Sequence, residues 1–86
     1  MPAELISRTE PIYPQVARER GIAGSVEVHF IIGANGEVHD VVATKGSAVL
    51  GAASVEAVKK WRYKPGRLDG APTDIPAVTV FVFKSK

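Results

Sequence analysis

The fold is decided by residues 24–38, which read GSVEVHFIIGANGEV. Every second residue from Val26 to Ile32 is apolar, and most of those between are polar, so the period of two predicts a half-buried antiparallel strand. Asn35-Gly36 then predicts a hairpin turn, because both residues tolerate positive φ. The return strand is predicted over 37–44. Its alternation slips once, at His39-Asp40, where a β-bulge would account for the slip.

A short helix is predicted before this hairpin. Pro14 suits a first helical turn, and Gly21 suits a left-handed cap at the other end, which gives about two turns. Val16, Ala17 and Arg20 follow Tyr13 at helical spacing. Tyr13 is therefore interpreted as a core anchor of this helix.

A second, amphipathic helix is predicted after the hairpin, with Ser47 as its N-cap. Its apolar positions repeat at intervals of three and four: Leu50, Ala53, Ala57 and Trp61. We expect the helix to end before Pro65, because the residue before a proline is biased away from helical backbone angles.

The chain closes with a turn-rich loop over 65–77 and a strand over 78–83, a run of β-branched and aromatic residues. The predicted order is therefore helix, strand, strand, helix, strand. It indicates an α+β fold in which two helices pack on one face of a small antiparallel sheet of about three strands.

Composition excludes several functions. The 86 residues suit one domain with too little core for a two-lobed enzyme, and the absence of cysteine rules out disulfides and thiolate sites. No nucleophile motif, phosphate loop or apolar carboxylate cluster is present, so we predict no enzyme, no cofactor and no metal. His29 and His39 are interpreted as solvated strand histidines. The net charge of +2 is weak for nucleic-acid binding, and five cations over 59–67 are interpreted as a solvated helix face.

After these exclusions, the backbone of the last strand is the feature of the sequence that still indicates a function. Residues 78–83 contain no proline or charge that would discourage pairing with another chain. If this strand lies at the sheet edge, it is either an aggregation hazard or a docking site for an extended segment. If it lies in the centre, both edges are covered. The residue pattern leaves these two alternatives open.

The chain resembles the C-terminal domain of TonB-type energy transducers over residues 11–83. The resemblance rests on an initial Tyr-Pro-x-x-Ala element, paired glycines around the hairpin strands, and a Trp-Arg-Tyr-x-Pro element after the second helix. The residues that carry it include Tyr13, Pro14, Ala17, Gly21, Gly24, Gly36, Ala57, Trp61, Tyr63, Pro65, Gly70 and Phe83. One departure is Gly51, where many members carry Asp or Asn.

The resemblance implies a lead-in or linker remnant over 1–10 and a TonB-like domain over 11–84. It implies a periplasmic domain, tethered to the inner membrane by an upstream anchor, that adds the TonB-box segment of an outer-membrane transporter to its sheet edge. A motor of the ExbB/ExbD type would supply force from the proton gradient. The expected docking residues are Val78, Thr79, Val80, Phe81, Val82 and Phe83, with Ile12 and Tyr13 as neighbours.

Two further expectations accompany this reading. Such domains also occur in signalling proteins, so a protein-interaction module of a sensor or of a self-associating assembly is the alternative function. Strand pairing between two copies would give a homodimer.

Overall fold

The computed structural model describes residues 4–64, 67–68 and 71–84. These residues form two helices and seven strands. Their bounds are β1 Glu4–Ser7, α1 Gln15–Glu19, β2 Gly24–Ile32, β3 Val38–Lys45, α2 Ala48–Val58, β4 Arg62–Lys64, β5 Arg67–Leu68, β6 Ala71–Pro72 and β7 Ile75–Phe83.

The main sheet is antiparallel and has the order β3-β2-β7. Its inner face carries Val26, Val28, Phe30 and Ile32 of β2, all buried. Ala17 of α1 and Leu50 and Val58 of α2 belong to the same buried cluster. Both helices therefore cover one face of a three-stranded sheet, and the predicted α+β fold is confirmed. On the other face of the sheet, Val42, Val78, Val80 and Val82 are exposed.

The hairpin follows the sequence pattern closely. Gly36 has a φ of 89° in the turn, and the amide of Glu37 donates to Asn35 Oδ1 at 3.0 Å. The pairing between β2 and β3 slips by one residue between His29 and Ile31. Asp40 has a φ of 53° there. The predicted bulge at His39-Asp40 is confirmed.

Both predicted helices are shorter than expected. α1 has five residues rather than two turns, and Gly21 ends it with a φ of 68°, as predicted. α2 begins at the predicted cap, where Ser47 Oγ accepts from the amides of Val49 and Leu50. It ends at Val58, before Trp61. Leu50 and Ala57 of the expected stripe are buried in α2, Trp61 is buried beyond the end of the helix, and Ala53 is half-buried. The buried side of α2 also carries Gly51, Ser54 and Val58.

The remaining differences lie where local signals are weak. Residues 75–77, predicted as loop, extend the last strand, so β7 begins at Ile75 and contains Pro76. Two short pairs lie outside the main sheet: β5 with β6, and β1 with β4, in which Leu5 lies opposite Tyr63. Residues 4–7, predicted as lead-in, therefore form a strand that pairs with β4.

The longest helix, α2, has 11 residues. None of the helices in the described part of the chain has the length and hydropathy needed to cross a membrane.

Candidate docking edge along β7

Strand β7 lies at an edge of the main sheet. One side of it pairs with β2 over nine residue positions, from Gly24 opposite Phe83 to Ile32 opposite Ile75. Among the described residues, no strand pairs with its other side. The sequence left open whether this strand is central or at an edge, and the structure places it at the edge.

Pro76 indicates which amides face the open side. Proline has no N–H to donate, so within an antiparallel pair it is tolerated where its nitrogen points away from the partner strand. Pro76 lies opposite Ile31 of β2. Because successive residues of a strand present their amides to opposite sides, we expect the amides of Val78, Val80 and Val82 to point to the open edge as well. These three would be the donors available to an added strand.

A groove of about 350 Å³ runs beside this open edge. One wall is the last part of β7, residues 80–83, and the other is the extended segment that leads into α1. The lining residues of that segment are Arg8, Glu10, Pro11 and Tyr13.

The wall formed by residues 8–10 is held by Trp61, which is 2% exposed. The indole Nε1 of Trp61 donates to the carbonyl oxygen of Thr9 at 2.8 Å. The guanidinium carbon of Arg8 lies 4.8 Å from the centroid of the same indole and 5.7 Å from that of Phe81. Arg8 Nε also donates to Glu10 Oε1 at 2.8 Å. The groove therefore carries one cation and one carboxylate whose positions are set by the core.

Tyr13 forms the end of the groove near Phe83. Its ring meets that of Phe83 edge-on, with 5.3 Å between centroids, and its hydroxyl donates to the carbonyl oxygen of Ile22. The guanidinium carbon of Arg18 lies 5.0 Å from the Tyr13 ring centroid. Tyr13 therefore contacts the core, as predicted, and also lines the groove.

The expected docking residues fall into three groups. Val78, Val80 and Val82 are exposed on the outer face of the sheet. Phe81 and Phe83 point into the core and are each 6% exposed, so only their backbone is accessible to a partner. Thr79 is half-buried on the inner side.

Ile12 lies away from the groove beside β7. Its side chain is 82% exposed. It borders a separate shallow cleft against α2, which is lined by Ala53, Glu56, Ala57 and Lys60 among others. The structure therefore brings Tyr13 to the edge of β7, while Ile12 lines a surface on the helical side.

The residues of the resemblance lie mainly in supporting positions. Pro14 is the residue before α1, and Ala17 is fully buried. Gly24 begins β2 with a φ of 127°. Tyr63 is half-buried in β4, and desolvation raises the pKa of its hydroxyl. Pro65 and Gly70 lie outside the described residues.

The two histidines each pair with a nearby carboxylate. His29 Nε2 lies 2.9 Å from Glu27 Oε2, and His39 Nδ1 lies 2.7 Å from Asp40 Oδ2. The hydrogen bonds from His29 and Thr44 hold the pKa of Glu27 below its ordinary value. His29 lies across from Val42 rather than from His39. Among the described residues, no group of three or more potential ligands is placed to hold a metal ion.

Sequence reasoning missed Arg8 and Glu10, the charged residues of the groove. Their place depends on Trp61, which lies more than 50 residues further along the chain. The local sequence carries no signal for such a contact.

Comparison with known proteins identifies relatives over nearly the whole chain. A family model described as the Gram-negative bacterial TonB protein C-terminal matches residues 9–85. Protein TonB of Vibrio cholerae is 34% identical over 73 residues, which are 83% of this chain and 30% of that protein. Protein TonB of Pseudomonas aeruginosa is 33% identical over 76 residues, 86% of this chain and 22% of that protein. The chain thus spans less than a third of the length of these relatives.

A solved structure has the same fold. The solution NMR structure of the Pseudomonas aeruginosa TonB C-terminal domain is 30% identical and superposes with a TM-score of 0.76. The match covers 95% of this chain and 85% of that one.

Proposed function

Because the chain belongs to the family of Gram-negative TonB C-terminal domains, we propose that it is the periplasmic docking domain of an energy transducer. It binds the TonB-box segment of an outer-membrane transporter by adding that segment to the open edge of β7. In the whole protein, an inner-membrane anchor and a motor of the ExbB/ExbD type transmit force derived from the proton gradient. The domain acts by binding rather than by catalysis.

One observation carries this proposal. β7 is a nine-residue strand with one unpaired side among the described residues, and a groove follows part of that side. Strand addition supplies affinity through main-chain hydrogen bonds and specificity through pockets for alternate side chains. An added strand would find backbone donors along β7 and side-chain contacts with Arg8, Glu10 and Tyr13.

The geometry also suits a pulling function. The strand is anchored to the centre of the sheet through its pairing with β2, and its inward side chains Phe81 and Phe83 are buried. A load applied to the docked segment would therefore pass into the middle of the fold. Several backbone hydrogen bonds loaded together resist force better than the same bonds broken one at a time.

The test is a titration of the ¹⁵N-labelled domain with a synthetic TonB-box peptide. We expect the largest amide shifts along 77–83 and at the non-proline residues of 8–13. Val80→Pro removes one donor from the open side without removing a donor from the pairing with β2, so it should weaken binding while the dispersed spectrum of the fold remains. Shifts confined to α2 or to β3, with 77–83 unchanged, would contradict the proposal.

A further inference from the structure

The first half of β7 has less support from the core than the second half. Phe81 and Phe83, the inward residues near the end of the strand, are each 6% exposed. The inward residues of the first half are Ile75, Ala77 and Thr79, all only half-buried. Because β7 pairs on one side only among the described residues, we expect this half to separate from β2 first, as weakly buried strand ends do.

Asp74 lies directly before this weakly supported half and ties it to the turn between β2 and β3. Its Oδ1 accepts a hydrogen bond from the amide of Ala34 at 2.9 Å, across 40 positions of the chain. The last backbone pair of β2 with β7 joins Ile32 and Ile75. The side chain of Asp74 therefore extends the connection between the two strands beyond the end of their backbone pairing.

The turn that Asp74 contacts is itself fixed by hydrogen bonds on two sides. The amide of Gly33 donates to the carbonyl oxygen of Glu37 at 2.7 Å, and the amide of Gly36 donates to that of Gly33 at 2.9 Å. The carbonyl oxygen of Gly36 accepts from the amide of Tyr63 in β4 at 2.8 Å. A tie to this turn therefore connects the start of β7 with β4 as well as with β2.

The bulge in β3 places a second group beside the Asp74 carboxylate. His39 Nε2 lies 3.8 Å from Asp74 Oδ2, and His39 Nδ1 lies 2.7 Å from Asp40 Oδ2. Asp40 has the positive φ of the bulge, and bulges commonly redirect a neighbouring side chain. His39 therefore lies beside both carboxylates, although 49% of its side chain is exposed.

We propose that Asp74 is a positioning residue for docking on β7. By holding the start of the strand against the turn, it keeps the first half of β7 paired with β2, and the amide of Val78 is presented at the open edge before a partner arrives. This inference rests on the strand addition proposed above. It assigns a role to a side chain that is not among those that line the groove beside β7.

Preorganisation is the physical reason for this role. An edge strand that frays must be ordered when a segment binds, and the cost of ordering reduces the affinity. Under load, a strand that separates from a free end breaks its hydrogen bonds one at a time. A start held by Asp74 makes the bonds of the first half share the load with those that Phe81 and Phe83 anchor.

The test compares Asp74→Ala with Asp74→Asn. Alanine removes the acceptor for the Ala34 amide, whereas asparagine keeps an oxygen at the same place and loses only the charge. Glu37→Ala is the matched control, because it removes a carboxylate from the same turn whose contacts with Asn35 and Arg62 do not involve β7. For each protein, amide hydrogen exchange is followed in the free domain and with a synthetic TonB-box peptide.

In the free domain, Asp74→Ala should loosen only the first half of β7. We expect the amides of Ala77 and Thr79 to exchange about fivefold faster, from the loss of one hydrogen bond, while the Phe81 amide keeps its rate. Asp74→Asn should restore most of the difference, and Glu37→Ala should match the wild type. A merely structural role, felt through the whole fold, would raise all three rates equally and overturn the proposal.

With the peptide, Asp74→Ala should bind severalfold more weakly, and the Val78 amide should be protected less than the Val82 amide. Equal affinity and equal protection in Asp74→Ala and the wild type would leave docking in place and overturn the role of Asp74. Unchanged exchange of Ala77 and Thr79 in the free variant would overturn it as well. If no peptide protects the β7 amides of the wild type, the proposed function fails, and the docking role of Asp74 fails with it.

Discussion

Trp61 Nε1 donates a hydrogen bond to the carbonyl oxygen of Thr9 at 2.8 Å, joining positions that lie 52 residues apart in the chain. Arg8, the residue before Thr9, packs over the same indole. The core therefore determines where the wall of the groove beside β7 lies. Stability and docking should depend together on this contact.

Replacing Trp61 with Phe should uncouple the wall from the core. The variant keeps an aromatic ring but loses the donor to Thr9 and some buried volume, so we expect a loss of about 2 kcal/mol of unfolding free energy. Peptide binding at β7 should weaken severalfold, because Arg8 and Glu10 lose their support. Urea unfolding and NMR titration measure the two effects.

Tyr63→Phe is the matched control for that change. Tyr63 lies in the same aromatic cluster, with its ring centroid 6.5 Å from that of Trp61. Since the change removes only a half-buried hydroxyl, both stability and binding should stay near the wild type. An equal loss in the two variants would show that the hydrogen bond to Thr9 has no special part.

Gly51 should resist replacement by larger residues. A Cβ at this helical position would lie 3.1 Å from the Cβ of Ala43 on β3, so the absence of a side chain lets α2 lie close to the sheet. We expect Gly51→Asn to cost about 2 kcal/mol through overpacking. The double variant with Ala43→Gly should recover part of that loss. Chemical denaturation checks this, and an additive loss in the double variant would exclude the proposed contact.

Glu27 should contribute stability that acid removes. Hydrogen bonds from His29 and Thr44 lower the pKa of its carboxyl from the ordinary value of 4.5 in the folded state. A group with a lowered folded pKa stabilises the fold above its unfolded pKa, and this contribution is lost as the pH falls through the folded pKa. Glu27→Gln should therefore be less stable than the wild type at neutral pH, with a difference that shrinks below pH 4.5. Unfolding curves between pH 3 and pH 7 measure it; a gap that widens in acid would contradict the assignment.

The hairpin and the helix caps were predictable because their signals are local. Asn35-Gly36 supplies the turn, the slip in alternation at His39-Asp40 marks the bulge, and Ser47 caps α2. Each depends on residues within a few positions of one another. Backbone preferences and the alternation of apolar and polar residues were sufficient to predict these features.

The short strands and the end of α2 were not predictable, because they depend on contacts between distant parts of the chain. Leu5 pairs with Tyr63 through contacts between distant parts of the chain, and a segment of four residues has no period to read. Trp61 continues the helical spacing of α2, but its burial under Thr9 and Arg8 occurs beyond the end of the helix. Tertiary contacts override local preference at these positions.

The sequence predicts the strand of the candidate site, but not its position at the sheet edge or the residues that line the groove beside it. The uncharged run of β-branched and aromatic residues at 78–83 indicates a strand suited to pairing with another chain. Its position at an edge depends on the sheet order, and the presence of Arg8 and Glu10 depends on Trp61. No local sequence pattern indicates the edge position of the strand or the placement of Arg8 and Glu10.

The most direct measurement of the central claim is amide hydrogen exchange with and without a bound TonB-box peptide. In the free domain, the amides of Val78, Val80 and Val82 should exchange quickly, while those of Ala77, Thr79 and Phe81 are protected by pairing with β2. Peptide binding should protect the three valine amides and leave the others unchanged. Protection that appears on β3 or α2 while the valine amides remain fast would contradict docking at the edge of β7.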